Sequence, residues 1–321
     1  MKKIAVLADY LEPSHHALID STAARCGFAV DYYPDCRVPA EKAGQYEVVH
    51  GMPKPGDLKA FTGMKWFCGS FAGVDAYLDD ALYPSPDVVL SNSSGTYGVT
   101  IAEHLIMVTL ILLRHAPAYL HHADAHRWGP VMPMRSIIGS TITVLGTGDI
   151  GTEFARRAKA MGAKEIRGVR RTKKAADPAF DGVYTHAELD SLLPDTDILV
   201  MALPSTADTV GILSRDRIAL LPETAYVVNV GRGTAIDQSA LVEALNAGKL
   251  AGAALDVFEK EPIPAGDPVW DAKNLLITPH ISGQMSLGYT RDKNVALFCE
   301  DLENYAAGRP LKRYVDRKIG Y

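Results

Sequence analysis

The chain is short of cysteine, of long apolar runs and of surplus positive charge, and each shortage removes a class of function. Its four cysteines, Cys26, Cys36, Cys68 and Cys299, are scattered and form no C-x-x-C pair, so neither a zinc site nor a redox motif is indicated. They are expected as reduced, mostly buried thiols. No stretch reaches the roughly 18 uninterrupted apolar residues of a membrane span; the longest candidate, AEHLIMVTLILLRH, is shorter and charged at both ends. The N-terminal MKKIAVLADYLEP carries two lysines, but its apolar run stops after about five residues, where a signal peptide needs roughly 7 to 15. It reads as a first strand, and a cytoplasmic protein is expected. A formal net charge of -5 offers no general attraction to nucleic acid or to anionic membranes, so neither is expected as a partner. Basic clusters must then be read locally, as sites for something small.

What is present is apolar bulk in a regular pattern. At 47% hydrophobic and 22% charged the chain has ample material for buried cores and is not disordered. Its 321 residues exceed one average core and suit two lobes. The first hundred residues alternate the short apolar runs KIAVLA, FAVDYY, YEVVH, KWFCGS and DVVLSN with amphipathic stretches such as SHHALIDSTAARCG, which predicts an α/β layer with a parallel sheet. VTIAEHLIMVTLILLRH, apolar on nearly every face, predicts a buried helix that connects lobes or forms an oligomer contact. A second series follows: TITVLG, EIRGV, DILVMAL, AYVVNVG, AGAALDVF and NLLITPH. Continuous rather than alternating apolarity marks these six as strands buried on both faces, in a doubly wound sheet. Ser286 to Ala307 has helical spacing and ends at Gly308 and Pro310.

The chemistry starts at TVLGTGDIGTEF, where Gly146, Gly148 and Gly151 form G-x-G-x-x-G between an apolar strand and an amphipathic helix. Gly146 permits the tight turn, Gly148 lets backbone approach a pyrophosphate, and Gly151 allows close helix-to-strand packing. Gly146, Thr147, Gly148, Asp149 and Ile150 are therefore expected cofactor contacts. About 20 residues on, such units carry an acid for the ribose 2′-OH. From Ile166 to Ala176 there is none; Arg170, Arg171, Lys173 and Lys174 stand there with Thr172. Guanidinium groups hold a 2′-phosphate that a carboxylate would repel, so Arg170, Arg171 and Thr172 point to NADP, with NAD still possible. Lys173 and Lys174 are expected in solvent.

Ligands of such sheets sit outside the carboxyl ends of the strands. After YVVNV comes Arg232 between two glycines; after GAALDVF comes Glu261 before Pro262; after NLLITP comes His280. Reducing a 2-oxo acid needs a fixed cation for the carboxylate and keto oxygen, and a group that delivers a proton as hydride arrives. Arg232 suits the first role and His280 the second, with Glu261 orienting His280 and stabilising its imidazolium.

These motifs, with GSFAGVD, AEH, ALPST, VNVGRG, ALDVFEKEP and TPHISG in the same order, closely resemble the D-isomer-specific 2-hydroxyacid dehydrogenases, the family of glyoxylate/hydroxypyruvate reductases and D-phosphoglycerate dehydrogenase. The resemblance implies two Rossmann-like doubly wound domains: a flavodoxin-like substrate domain, residues 1–98 plus 286–321, and a dinucleotide-binding domain, residues 99–285. It implies that backbone N–H groups of Ser70, Phe71, Ala72, Gly73 and Val74 cradle the substrate carboxylate opposite Arg232 and His280. Leu203, Pro204, Ser205, Asn229, Val230, Gly231, Arg232, Asp256, His280 and Gly283 would line the cofactor, with Asp256 near the nicotinamide amide. A homodimer through the cofactor domains is implied as well, with the helix around Ile101 to His115 crossing between partners and an aromatic such as Trp128 reaching the partner's site. Met52 would border the substrate pocket. The expected activity is NADPH-preferring reduction of small 2-oxo acids to D-2-hydroxy acids. An NAD-dependent phosphoglycerate dehydrogenase is the alternative, and a non-catalytic dinucleotide sensor, like the corepressors of this fold, is the alternative of another class. Formate dehydrogenases of this fold would carry glutamine at Glu261. His121, His122, Asp124 and His126 cluster without a partner of catalytic spacing, and no metal is expected there.

Overall fold

The computed structural model describes residues 1–173 and 177–321. Lys174 lies outside the described residues. The chain divides into two units, Met1–Tyr97 with Gln284–Tyr321, and Gly98–Gly283.

The first unit contains β1 (Lys2–Leu7), β2 (Phe28–Tyr32), β3 (Val48–Gly51), β4 (Trp66–Gly69) and β5 (Val89–Ser91), with helices α1 (Pro13–Arg25) and α2 (Ala40–Ala43) and, from the C-terminal segment, α9 (Gly288–Ala306). All pairings are parallel, in the order β2-β1-β3-β4-β5. That is the flavodoxin-like doubly wound order. Alternation along β1 sends Ile4 and Val6 into one core with Trp66, Phe298 and Leu302, and Ala5 and Leu7 into another with Val49, Phe67 and Leu90. Both faces of the sheet are buried, which is why its strands read as unbroken apolar runs.

Several polar side chains are buried in this unit, His50 among them. His50 of β3 is fully buried, lies 3.1 Å from the Cys68 carbonyl through Nδ1, and stacks on Phe298 at 3.9 Å between ring centroids. Burial pushes its pKa down to about 4, so the folded state holds a neutral imidazole. The unfolded chain binds that proton near pH 6.5 and the folded chain only near pH 4; stability from this group is complete above the unfolded value and is lost as pH falls through that window. The loss amounts to about 3 kcal/mol by pH 4. Urea unfolding of wild type and His50→Leu between pH 7 and 4 should show a shallower pH dependence in the variant. Parallel curves would remove His50 as the cause.

The second unit contains α3 (Gly98–Leu113), α4 (Ala116–Asp124), β6 (Thr141–Leu145), α5 (Asp149–Ala160), β7 (Glu165–Arg170), β8 (Gly182–Thr185), α6 (Leu189–Leu192), β9 (Ile198–Met201), α7 (Arg215–Leu220), β10 (Tyr226–Asn229), α8 (Gln238–Asn246), β11 (Gly252–Leu255) and β12 (Leu275–Ile277). Its parallel sheet has seven strands, in the order β12-β11-β10-β9-β6-β7-β8, and the strand order reverses between β6 and β9. Every residue of β6, β9, β10 and β11 is buried. The sequence pattern predicts six strands here, and the structure corrects it to seven. The addition is β8, an edge strand that is half-buried throughout and so lacks an apolar signature. The predicted buried helix is α3, nine of whose residues are buried; α4 follows at a 61° bend, and neither is by itself long and apolar enough to cross a membrane.

Candidate active site

The glycine loop follows β6 and caps α5. Gly146 has φ +103, and a Cβ there would lie 2.7 Å from the Ala202 carbonyl oxygen; a Cβ on Gly151 would lie 1.9 Å from the Gly146 carbonyl oxygen. Both positions are closed to any larger residue. Gly148 is different: it is exposed, and a Cβ there would meet nothing within 4 Å. It is the N-cap of α5, whose first-turn N–H groups and positive dipole end make an anion site, so the open space over Gly148 suits a pyrophosphate. Thr147 and Ile150 flank it, half-buried. The Asp149 carboxylate accepts the Gly98 N–H at 2.7 Å, which turns its charge toward the start of α3.

Arg170 ends β7, the neighbour of β6, with Arg171 and Thr172 exposed just beyond it. The register pairs Arg170 with Thr185, and the next residue, His186, interacts electrostatically with Arg171. Burial, the leading cause, lowers the His186 pKa, and the charges of Arg217 and Arg171 add to the shift. Lys173 is exposed and lies 3.6 Å from Glu188.

On the other side of the glycine loop, β9 leads into Leu203, Pro204 and Ser205, with Leu203 buried and Ser205 Oγ 3.3 Å from Thr234 Oγ1. β10 leads into Val230, Gly231 and Arg232. The two glycines around Arg232 have separate causes. A Cβ on Gly231 would come 2.7 Å from the Leu203 backbone, and one on Gly233 would overlap the Phe258 carbonyl group at 1.9 Å. Arg232 is therefore wedged between the ends of β9 and β11. Its turn is closed by Asn229, whose Oδ1 accepts from Gly231 N and whose Nδ2 donates to the Arg232 carbonyl, both at 2.9 Å.

β11 supplies Asp256 and Glu261. Asp256 is buried and accepts hydrogen bonds from Thr278 Oγ1 at 2.6 Å, Ile281 N at 2.9 Å and Ser282 N at 3.0 Å. Those bonds clamp the turn after β12, in which His280 takes φ +51 and donates its N–H to the Asp256 carbonyl at 2.9 Å. His104 of α3 lies 3.4 Å from Thr278 Oγ1, and burial lowers its pKa against the opposing effect of Asp256. Glu261 is held by the Phe258 N–H at 2.9 Å through one carboxylate oxygen and meets His280 Nδ1 at 2.7 Å through the other. The imidazole is about half-exposed, and Gly283 closes the same turn.

Across the sheet the predicted residues fall in one row. Arg170 is on β7, the glycine loop on β6, Leu203 to Ser205 on β9, Arg232 on β10, Asp256 and Glu261 on β11, and His280 on β12. The glycine loop and Arg170 occupy one half of the row, and a cation with a carboxylate–imidazole pair occupies the other.

In the first unit, the loop after β4 carries Ser70 to Val74. Ser70 is fully buried and donates its N–H to the Gly51 carbonyl at 3.0 Å, so that group is already engaged. Phe71 turns back over Gly69 and stacks on Tyr77 at 4.5 Å. Met52 is 38% exposed and Trp128, in the second unit, is fully exposed. Among the described residues no three His, Cys, Asp or Glu side chains converge on a metal position, the His121, His122 and His126 stretch included.

Sequence reasoning missed three contributors: Thr278, the Gly98 N–H, and the Phe258 backbone. Each acts through position in the fold, and none belongs to a residue type that announces a role.

The model of the D-isomer specific 2-hydroxyacid dehydrogenase NAD binding domain matches residues 106–282. The glyoxylate/hydroxypyruvate reductase A of Klebsiella pneumoniae (strain 342) is 32% identical over 78% of this chain and 80% of its own length. Among solved structures, a D-isomer specific 2-hydroxyacid dehydrogenase family protein from Aeromonas salmonicida superposes with a TM-score of 0.85 at 30% identity, covering 98% of this chain and 99% of its own. The NADPH-dependent glyoxylate/hydroxypyruvate reductase of Sinorhizobium meliloti, solved with NADP and sulfate, gives 0.83 at 27% identity over 100% of both chains. The row of strand-end groups and these likenesses agree: the chain belongs to the D-isomer specific 2-hydroxyacid dehydrogenase family, as a nicotinamide-dinucleotide-dependent oxidoreductase.

Proposed function

We propose that the protein is an NADPH-preferring reductase that converts small 2-oxo acids of the glyoxylate and hydroxypyruvate class to D-2-hydroxy acids. The observation that carries this reading is the 2.7 Å pair of Glu261 and His280 one strand along from Arg232. The glycine loop and the residues after β9 would hold the dinucleotide, which when bound would supply hydride to the keto carbon. Arg232 binds the carboxylate and polarises the keto oxygen. Glu261 fixes the ring through Nδ1 and favours its protonated form, so that Nε2 is the atom that delivers the proton to that oxygen. In the first unit, the N–H groups of Phe71, Ala72 and Gly73 are donors suited to the carboxylate. Asp256 acts twice, toward the nicotinamide amide and as the clamp on the His280 turn.

The cofactor preference rests on Arg170, Arg171 and Thr172 where an acid would otherwise hold the ribose, and on the NADP-bound relative from Sinorhizobium meliloti. A homodimer through the second unit is supported by the exposed apolar side chains of Met107, Leu120, Trp128, Met132, Met134 and Ile138. A cytoplasmic location fits four free thiols. The test is a spectrophotometric screen of 2-oxo acids with NADPH and NADH. The expected result is a kcat/KM ratio that favours NADPH and falls about 100-fold or more in Arg170→Asp, which exchanges a charge-assisted pair for repulsion. A wild-type preference for NADH would overturn the cofactor reading, and no turnover of any 2-oxo acid would overturn the activity.

A further inference from the structure

The loop after β4 is unusual in how its backbone polar groups are divided. Four successive carbonyl oxygens are occupied: Gly69 O accepts from Ser93 Oγ at 2.8 Å, Ser70 O from the Tyr97 hydroxyl at 2.5 Å, Phe71 O from Ser93 N at 2.9 Å and Ala72 O from Asn92 Nδ2 at 2.7 Å. All four donors come from the short segment after β5. By contrast, the N–H groups of Phe71, Ala72 and Gly73 meet no acceptor among the described residues. A peptide plane whose oxygen is tied down on one side presents its N–H on the other, so this pattern makes a row of donors for an anion.

A buried relay holds that pattern in place. The Tyr10 hydroxyl lies 2.7 Å from Ser70 Oγ and 2.9 Å from Asn294 Oδ1. An amide oxygen cannot donate, so Tyr10 donates to Asn294 and accepts from Ser70. The Asn294 amide donates in turn to Ser93 Oγ at 2.7 Å, and Ser93 donates to Gly69 O. The relay thus runs from the Ser70 side chain through α9 and back to the carbonyl one residue earlier. Asn294 and Ser93 are almost entirely buried, and burial raises the pKa values of Tyr10 and Tyr97, which keeps both phenols protonated as donors. Each member lost would strand a buried partner, a costly outcome that fixes the geometry.

We propose that Tyr10, Ser93, Tyr97 and Asn294 are positioning residues for substrate: they set affinity for the 2-oxo acid carboxylate by aiming the Phe71–Gly73 amides, without touching the ligand. This rests on the reading that those amides receive the carboxylate. The experiment uses the full chain saturated with NADPH, with oxalate as the carboxylate probe. In 15N-labelled wild type, oxalate should shift the amide resonances of Phe71, Ala72 and Gly73. In Tyr10→Phe and Tyr97→Phe, tested separately so that misfolding of one leaves the other, KM for the 2-oxo acid and Ki for oxalate should rise about 10-fold or more. In the same variants kcat should change less than KM, and the Kd for NADPH should be unchanged. Shifted amides together with wild-type Ki values in the variants would overturn the positioning role and leave the carboxylate reading intact. A rise in NADPH Kd equal to that in Ki would overturn it as well, since that marks a general structural defect. Amides that do not respond to saturating oxalate would overturn the carboxylate reading and the inference with it.

Discussion

Replacing His280 by Gln should lower kcat by about 100- to 10,000-fold, the usual worth of a positioned general acid, while NADPH still binds with wild-type affinity. Gln keeps a hydrogen-bonding side chain of similar reach but has no proton to exchange near neutrality. The backbone at this position has φ +51, a region that Asn tolerates better than Gln, so His280→Asn is the companion variant. It separates loss of chemistry from strain in the turn. Both variants should lose activity alike, because the Asp256 clamp on the Ile281 and Ser282 amides does not depend on the imidazole. Single-turnover hydride transfer followed at 340 nm is the measurement. Turnover within a few-fold of wild type in either variant would remove His280 from the proposed mechanism.

Arg232→Ala should reduce kcat/KM by about a thousand-fold or more, divided between KM and kcat. The guanidinium is asked to do two things: to pair with a carboxylate, which acts in the ground state and the transition state alike, and to stabilise charge that grows on the keto oxygen. Removing the first raises KM, and removing the second lowers kcat. Arg232→Lys keeps the charge but loses the planar fork, and should recover only part of the loss. The wedge formed by Gly231 and Gly233 against Leu203 and Phe258 fixes the arginine backbone, so neither substitution should disturb the fold. An effect on KM alone would assign Arg232 to carboxylate binding and leave the oxyanion to another group.

How far these residues could be read from the chain depended on whether their signal was local. The glycine loop was legible because a tight turn at Gly146 and a close approach at Gly151, each closed to a Cβ, bracket a helix start within six residues. β6, β9, β10 and β11 were legible because a strand buried on both faces has no polar side to interrupt it. β8, Gly182–Thr185, was not, since an edge strand of four half-buried residues looks like any loop. Arg232, Glu261 and His280 were legible as residues at strand ends, yet the 2.7 Å contact between two of them joins positions 19 apart and had to be built by the pairing of β11 with β12.

The relay under the Phe71–Gly73 loop lay furthest from the sequence. Tyr10 and Asn294 are 284 residues apart, and a lone tyrosine or asparagine has no pattern that singles it out from the many that face solvent. By itself the sequence determined the two doubly wound sheets, the glycine loop, the absence of an acid before Lys173 and the strand-end groups, because periodicity and steric demand act between near neighbours. The tertiary structure alone decided where Asp149 turns its charge, how Asp256 clamps the His280 turn, and which groups tie down four successive carbonyls. Those are matters of hydrogen-bond satisfaction in a buried interior, and a buried polar group takes whatever partner the folded chain brings to it.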